Sequence, residues 1–319
     1  MILRILLFAA FTFIYSLFLF CNENMSFSLP KENWGVTADL SGFSITGNSF
    51  GADGKERDIT LEAGEKISGT LSIFLSDESP LECCGNFINS LDSQNNSVIY
   101  LNQSVIDDIH YIHYDIETSS GDLLKGFACF AGAESKNAEI FLLAKENVSS
   151  FFPASQRILM SFKIVENYQP QINERLVLGK YYFDNQDFFS ALEIFDPLLK
   201  NSLLQKVLSD DDYREFINIS SSAYNVVGVP ELGIALLDEG ICRLPEDSIF
   251  YYNLASIYAL YGMEDKVISN LEKAYRFKAK NFNFAYLPNP LQDSAFQTFL
   301  MNSDNYKEVS NLIDWFASP

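Results

Sequence analysis

A spacing of 34 residues in the C-terminal half is the feature that most restricts how this chain can fold. Gly228 in NVVGVPE and Gly262 in YALYGMED are separated by 34 residues, and each follows an apolar stretch with helical periodicity. Tyr224 and Tyr258, which precede these glycines, keep the same separation. A repeat of this length is typical of paired helices that stack, because one pair cannot bury its apolar face alone.

An earlier segment carries the same internal offsets. Tyr182 follows Leu178-Gly179 at the same distance as in the later units, and Phe195 follows Ala191. About eight additional residues separate this segment from the next. The sequence therefore predicts three helical pairs and a helical cap. The predicted pairs are residues 172–205, 214–247 and 248–281, and the predicted cap is 290–316.

These L-G-x2-Y and A-x3-F spacings resemble tetratricopeptide (TPR) repeats, in which the two motifs lie on the two helices of one unit. The resemblance covers roughly a third of the chain. It implies an all-α TPR solenoid with capping helices, in which small residues allow close helix contact and aromatic residues fill the space between pairs. The ending NFAYLPNPLQDSAFQTFL also resembles the ending of bacterial TPR proteins, and the chain as a whole resembles the exported, lipoprotein-type members.

The resemblance implies a concave surface, lined by the first helix of each pair, where many relatives hold extended or helical peptides. We expect ten side chains to face it. They are Asn173, Lys180 and Asp184 in the first pair, Glu215, Asn218, Ser222 and Asn225 in the second, and Tyr252, Ser256 and Ala259 in the third. Lys180 and Asn218 supply only a fragment of the lysine–asparagine grip of peptide-clamp TPR proteins, so a carboxylate clamp is not expected. The alternative is an ordinary polar surface without a ligand.

The N-terminal half, from residue 26 to 166, has the periodicity of β-strands. In KISGTLSIFL, Ile67, Leu71 and Ile73 alternate with polar residues, as a half-buried antiparallel strand requires. Further predicted strands are SVIYL (97–101), IHYIHYDIE (109–117), LLKGFACF (123–130), AEIFLLA (138–144) and ILMSFKIVE (158–166). Turn-rich clusters such as SDESPLECCGN separate them. We predict an antiparallel β-sandwich-like domain over 26–166, joined to the helical domain by a linker at 167–172.

The first twenty residues contain one arginine and an apolar run from Ile5 to Phe20. This run is short for a membrane-spanning helix but suits an export signal, which we predict over residues 1–21. Cys21 resembles the lipid-attachment cysteine of bacterial lipoproteins, although Phe20 replaces the small residue that normally precedes it. Lipidation at Cys21, a simple cleaved signal and an uncleaved anchor stay open as alternatives. The expected location is extracytoplasmic, in the periplasm or at the cell envelope or surface.

The formal net charge of −20 excludes a sequence-independent grip on nucleic acid, which needs clustered Lys and Arg side chains. It also disfavours docking on an anionic membrane surface. We therefore expect no nucleic-acid partner, and membrane contact only through an N-terminal lipid or signal anchor.

Cysteine and histidine positions give no support for a metal or catalytic site. In an oxidising compartment Cys129 could pair with Cys83 or Cys84, while Cys242 is expected to be a buried apolar residue on a helix. His110 and His113 are three residues apart on a predicted strand, so they face opposite sides and cannot share a metal. With no recognisable nucleophile or phosphate-binding motif, we predict no metal, no cofactor and no enzymatic activity.

The role predicted from these features is an extracytoplasmic protein–protein interaction or scaffold function, with another protein or a peptide bound in the TPR groove. One alternative is a surface protein in which the β-domain binds a carbohydrate or other ligand and the TPR array acts as a spacer. A second alternative is a hydrolase with its site in the loops of the β-domain. The sequence identifies neither the partner nor the oligomeric state.

Overall fold

The computed structural model describes residues 24–64, 66–93, 97–133, 135–145, 148–280 and 287–317. The chain divides into two compact units, Met1–Gln171 and Ile172–Pro319. The first unit contains antiparallel strands in two sheets, and the second is helical. The predicted export signal at 1–21 and the predicted lipidation site Cys21 lie outside the described residues.

The strands of the first unit form one small and one large sheet. The small sheet has the order β1-β2-β10, with β1 at Asn24–Ser28, β2 at Trp34–Asp39 and β10 at Lys163–Glu166. The large sheet has the order β3-β4-β5-β9-β8-β7-β6. Its strands are β3 (Ser44–Phe50), β4 (Glu56–Ala63), β5 (Ile67–Leu75), β6 (Ser97–Ile106), β7 (Ile109–Glu117), β8 (Leu123–Ala133) and β9 (Lys136–Lys145). The described strand pairs are all antiparallel.

Two helices in the first unit correct the sequence prediction. Helix α1 (Pro80–Ser93) occupies most of the cluster predicted as a turn. Helix α2 (Phe151–Ser161) takes the first part of the predicted strand 158–166. Helix α1 begins with a capping box, since the Ser79 N–H donates to Glu82 Oε2 at 2.7 Å and the Glu82 N–H donates to Ser79 Oγ at 3.3 Å.

The middle strands of the large sheet are covered on both faces. One face packs against the small sheet and α2 in a core that includes Trp34 and Ile140. The other face packs under α1, where Tyr114 and Phe130 are buried. In a two-layer sandwich each sheet buries one face, so the predicted β-sandwich is not confirmed. The fold of this unit is an antiparallel two-sheet region with helices on either side of the large sheet.

The described helices of the second unit form three antiparallel pairs and a C-terminal group. They are α3 (Ile172–Asp184), α4 (Phe188–Leu199), α5 (Ser202–Gln205), α6 (Asp210–Val226), α7 (Pro230–Arg243), α8 (Ser248–Leu260), α9 (Glu264–Lys280), a 3-10 turn (Ser294–Phe296), α10 (Gln297–Leu300) and α11 (Ser303–Ala317). The pairs are α3 with α4, α6 with α7, and α8 with α9. Helix α6 contacts both helices of the first pair and α8 contacts both helices of the second, so the pairs are stacked. Among the described helices, none has the length and apolar composition needed to cross a bilayer.

The three helical pairs turn in the same way. In each, a tyrosine carbonyl near the end of the first helix accepts a hydrogen bond from the N–H five residues later, at 2.9, 2.9 and 3.0 Å. The residue before each donor has a positive φ, of 62°, 85° and 66°. The tyrosines are Tyr182, Tyr224 and Tyr258, and the positive-φ residues are Gln186, Gly228 and Gly262. This is the Schellman closure, and the first pair makes it without a glycine.

Cysteine positions also correct the sequence prediction. Cys83 and Cys84 lie on α1 above one face of the large sheet, whereas Cys129 is buried in the core at the opposite face. The sheet separates the thiols and all three are free, so the pairing of Cys129 with Cys83 or Cys84, which the sequence left open, is not formed in this structure. Cys242 lies on α7 but is exposed, so its predicted burial is also wrong. Burial, with a contribution from Glu139, raises the pKa of Cys83 to about 11, which keeps the thiol protonated at neutral pH.

Candidate functional site

The residues predicted to face a groove lie on α3, α6 and α8, which are the first helices of the three pairs. Their exposure differs from helix to helix. Asn173, Lys180 and Asp184 on α3 are exposed, whereas Glu215, Asn218, Ser222 and Asn225 on α6 and Ser256 on α8 are half-buried. We call this set, together with Asn253 on α8, the α3–α6–α8 surface.

Tyr252 and Ala259 do not belong to this surface. Each is only 2% exposed, which corrects the expectation that they contact a partner. The Tyr252 hydroxyl donates to Asp293 Oδ2 at 2.8 Å, and its ring contacts Phe296 at a centroid distance of 5.6 Å. Tyr252 therefore joins α8 to the C-terminal helical group.

Lys180 links the first and second helical pairs. Its Nζ lies 3.3 Å from Asp184 Oδ2 on the same helix and 3.6 Å from Glu215 Oε1 on α6. Burial lowers the pKa of Lys180, but Asp184 and Glu215 raise it by more, so the net shift is upward. Burial raises the pKa of Glu215 against the opposing effect of Lys180. A ligand carboxylate would have to displace two carboxylates from this ammonium, which argues against a carboxylate clamp.

Asn218 and Asn253 link the second and third pairs. The Asn253 Nδ2 group donates to Asn218 Oδ1 at 3.0 Å. In the part of the chain that the structure describes, the Asn218 Nδ2 group has no hydrogen-bond partner. Half-buried donors of this kind can bind the carbonyl groups of an extended peptide. Asn253 was not among the predicted residues, because its place beside Asn218 depends on how α6 packs against α8.

Exposed apolar residues lie at the turn end of the second and third pairs. Val226 and Leu260 occupy equivalent positions, 34 residues apart, and are 57% and 51% exposed. Val229 and Met263 are a second equivalent pair and are 38% and 45% exposed. Sequence reasoning missed them, although their 34-residue spacing was available as a signal. They place apolar contact area at the end of the polar α3–α6–α8 surface.

A group of carboxylates lies on the α1 face of the large sheet. Burial, with smaller contributions from Asp58, Glu56 and Glu78, raises the pKa of Glu139 from 4.5 to about 7. The Ser72 hydroxyl donates to Asp58 at 2.6 Å. Within the described residues no group of three or more His, Cys, Asp or Glu side chains is placed to hold a metal ion. These carboxylates therefore make the stability of the first unit depend on pH.

We expect the free energy of unfolding of the first unit to fall by about 2 kcal/mol between pH 5 and pH 8 because of Glu139. An acid with a raised pKa in the folded state contributes stability below its unfolded pKa and loses that contribution as the pH rises through about 7. Glu139→Gln should remove most of this loss in urea titrations at the two pH values. Glu62→Gln, at an exposed position on β4, should leave it unchanged. A loss in the Glu139→Gln variant as large as in the parent chain would contradict this assignment.

The histidines lie on β7, and their rings have separate surroundings. The His113 ring packs near Phe127 and Phe152, at centroid distances of 5.0 and 5.7 Å, and its Nε2 lies 3.3 Å from Ser155 Oγ. Burial lowers the pKa of His113. His110 precedes it by three residues, on the other side of the strand.

Comparisons with known proteins identify no family. No family model matches the chain, and no curated protein matches it. The solution structure of cyanobacterial PsbP (CyanoP) from Synechocystis sp. PCC 6803 is 10% identical with a TM-score of 0.30, covering 46% of this chain and 94% of that one. A crystal structure from Bacteroides thetaiotaomicron VPI-5482 is 10% identical with a TM-score of 0.33, covering 65% of this chain and 80% of that one. Likenesses this distant carry no argument about function.

Proposed function

We propose that the second unit is a TPR array and that its α3–α6–α8 surface binds an extended segment of another protein. The observation that carries this proposal is the repeated geometry of the three pairs. They share one turn, and Phe195, Leu237 and Leu271 at the equivalent position of each second helix are all fully buried. Stacked pairs of this kind leave their first helices along one side, where solenoids bind partners.

The chemistry of the surface favours a peptide backbone over a charged terminus. Lys180 is held between two carboxylates, whereas the half-buried Asn218 keeps an amide donor that has no hydrogen-bond partner within the described residues. Val226 and Leu260 provide apolar area at the turn end. A segment held by amide hydrogen bonds and apolar side chains fits these groups.

The proposed biological role is that of an extracytoplasmic scaffold. This part of the proposal is supported by the sequence, where the apolar run from Ile5 to Phe20 ends at Cys21. Such a protein would hold another protein at the cell envelope through its helical unit.

A crosslinking and binding experiment tests the surface. A partner is first identified by crosslinking the chain in its native envelope, and its affinity for the purified chain is then measured. Asn218→Ala combined with Asn225→Ala should weaken binding by about tenfold or more, because two amide contacts are lost. Asn270→Ala, on the second helix of the third pair, is the matched control and should bind as the parent chain does.

The fold of each variant is checked by its circular dichroism spectrum and thermal transition. If the double variant binds the partner with the same affinity as the Asn270→Ala control, the α3–α6–α8 surface is not the binding site. A partner that crosslinks only to the first unit would have the same consequence.

A further inference from the structure

Strand β6 is an edge of the large sheet with an unusual composition. It is the last strand in the sheet order, and in the described part of the chain it pairs only with β7. None of its ten residues is charged. Five apolar side chains on it are between 37% and 58% exposed, namely Ile99, Tyr100, Leu101, Val105 and Ile106. Edge strands are normally protected by charges, prolines or short length, so this edge is open to pairing.

The backbone of β6 offers regularly spaced hydrogen-bonding groups. Asp107 and Asp108, with φ of 47° and 64°, form the two-residue turn that joins Ile106 to Ile109. In such a hairpin the residues next to the turn exchange backbone hydrogen bonds, and those of the next pair point outward. The residues whose N–H and C=O groups point away from β7 are accordingly Leu101, Gln103 and Val105.

The two ends of this edge are acidic. Asp107 and Asp108 are exposed at the turn, and the exposed Glu117 lies beside Ser97 at the other end. These three carboxylates form no salt bridge within the described residues. A strand that complements this edge is apolar in its middle and cationic at an end.

A second copy of the chain does not fit this charge pattern. In antiparallel pairing of two β6 strands, Asp107 and Asp108 of one copy would lie near Glu117 of the other copy. The distance between these carboxylates would be roughly 10 Å, which is two strand spacings. Parallel pairing would place the same aspartates side by side. The formal charge of −20 on each copy adds long-range repulsion.

We infer that β6 is a docking edge for an extended segment of another protein, which adds to the large sheet as an eighth strand. The segment carries apolar side chains at alternate positions, which contact Leu101 and Val105, and a lysine or arginine at an end, which meets the acidic side chains. Main-chain hydrogen bonds supply affinity in this mode and the alternate side chains supply specificity. The site lies in the first unit and is independent of the α3–α6–α8 surface.

Two fluorescein-labelled peptides, KKTVTVTV and EETVTVTV, test the inference by fluorescence anisotropy with the full chain. The affinity for the lysine peptide should be at least about tenfold higher, because its two lysines meet an acidic end of the edge in either strand direction. Val105→Pro removes one outward N–H group without removing a hydrogen bond to β7. This change should lower the affinity for the lysine peptide by about tenfold. Val105→Thr keeps the N–H and is the control, with affinity within about twofold of the parent chain.

The combined change Asp107→Asn and Asp108→Asn tests the charge without breaking the turn, because asparagine tolerates positive φ. This double change should reduce the ratio of the affinities for the lysine and glutamate peptides to about twofold. The inference is overturned if neither peptide binds saturably, or if the Val105→Pro variant binds the lysine peptide as the parent does. A dimer in sedimentation that Val105→Pro dissociates would also overturn it, since the edge would then belong to a second copy.

Discussion

Arg57→Ala is expected to lower the free energy of unfolding of the first unit by about 3–5 kcal/mol. Arg57 lies on β4 of the large sheet and is 1% exposed. Its Nη1 donates to the Ser28 carbonyl of β1 at 2.8 Å, and its Nε donates to Asn48 Oδ1 at 2.9 Å. The guanidinium also lies 4.8 Å from the centre of the Phe50 ring. Alanine would leave a cavity between the two sheets and remove a buried donor from two acceptors.

Urea titration followed by tryptophan fluorescence measures this effect, because Trp34 is fully buried in the core of the first unit. Arg57→Met keeps the packing of the aliphatic stem and should cost about 1–3 kcal/mol, the loss of the hydrogen bonds alone. Lys55→Ala is the control, since that side chain is 65% exposed, and should change stability by less than about 0.5 kcal/mol. An Arg57→Ala variant as stable as the Lys55→Ala variant would show that the buried guanidinium does not join the sheets.

Gly179→Ala is expected to destabilise the second unit by about 1–3 kcal/mol. In a helix interior the change from glycine to alanine usually stabilises the fold by about 0.5–1 kcal/mol, because glycine loses more backbone entropy on folding. Here a Cβ atom at residue 179 would lie 2.1 Å from Cζ of Phe195, whose side chain is fully buried. The ring would have to move within the packed space between α3 and α4.

Two controls separate this clash from a general effect of substitution. Phe195→Leu removes the ring, and in that background Gly179→Ala should be much less harmful, which a double-mutant cycle measures. Gln186→Gly, in the same helical pair, should stabilise by about 1 kcal/mol, because it relieves a non-glycine residue at a φ of 62°. Urea titrations followed by far-ultraviolet circular dichroism report the helical unit. Destabilisation that persists unchanged without the Phe195 ring would refute the proposed contact.

The β-to-α order of the chain could be predicted from local periodicity. Helical spacing after Pro170 and alternation around Ile67 are properties of short segments, so they can be read without the fold. The turn of the first helical pair was harder to predict from the sequence, because Gln186 occupies the position where the later pairs have glycine. Helix α1 was missed even though Ser79 and Glu82 carry a capping-box signal in the sequence.

The candidate binding surface could be predicted only in part. The helical repeat places Asn218 and Lys180 on first helices, but it does not specify which side chains the next element covers. Tyr252 is buried because Asp293 and Phe296, from the C-terminal group, pack over it. Asn253 reaches the surface because α8 lies against α6 and brings its amide within 3.0 Å of Asn218.

The sequence by itself determined the change from strands to helices, the 34-residue spacing and the acidic charge, because each is a property of neighbouring residues or of composition. Only the tertiary structure decided that Cys129 and Cys83 lie on opposite faces of one sheet. It alone decided that β6 is an edge strand and that Lys180 is held by Glu215. These facts depend on strand order and helix packing, which bring together residues far apart in the chain, and no local pattern records them.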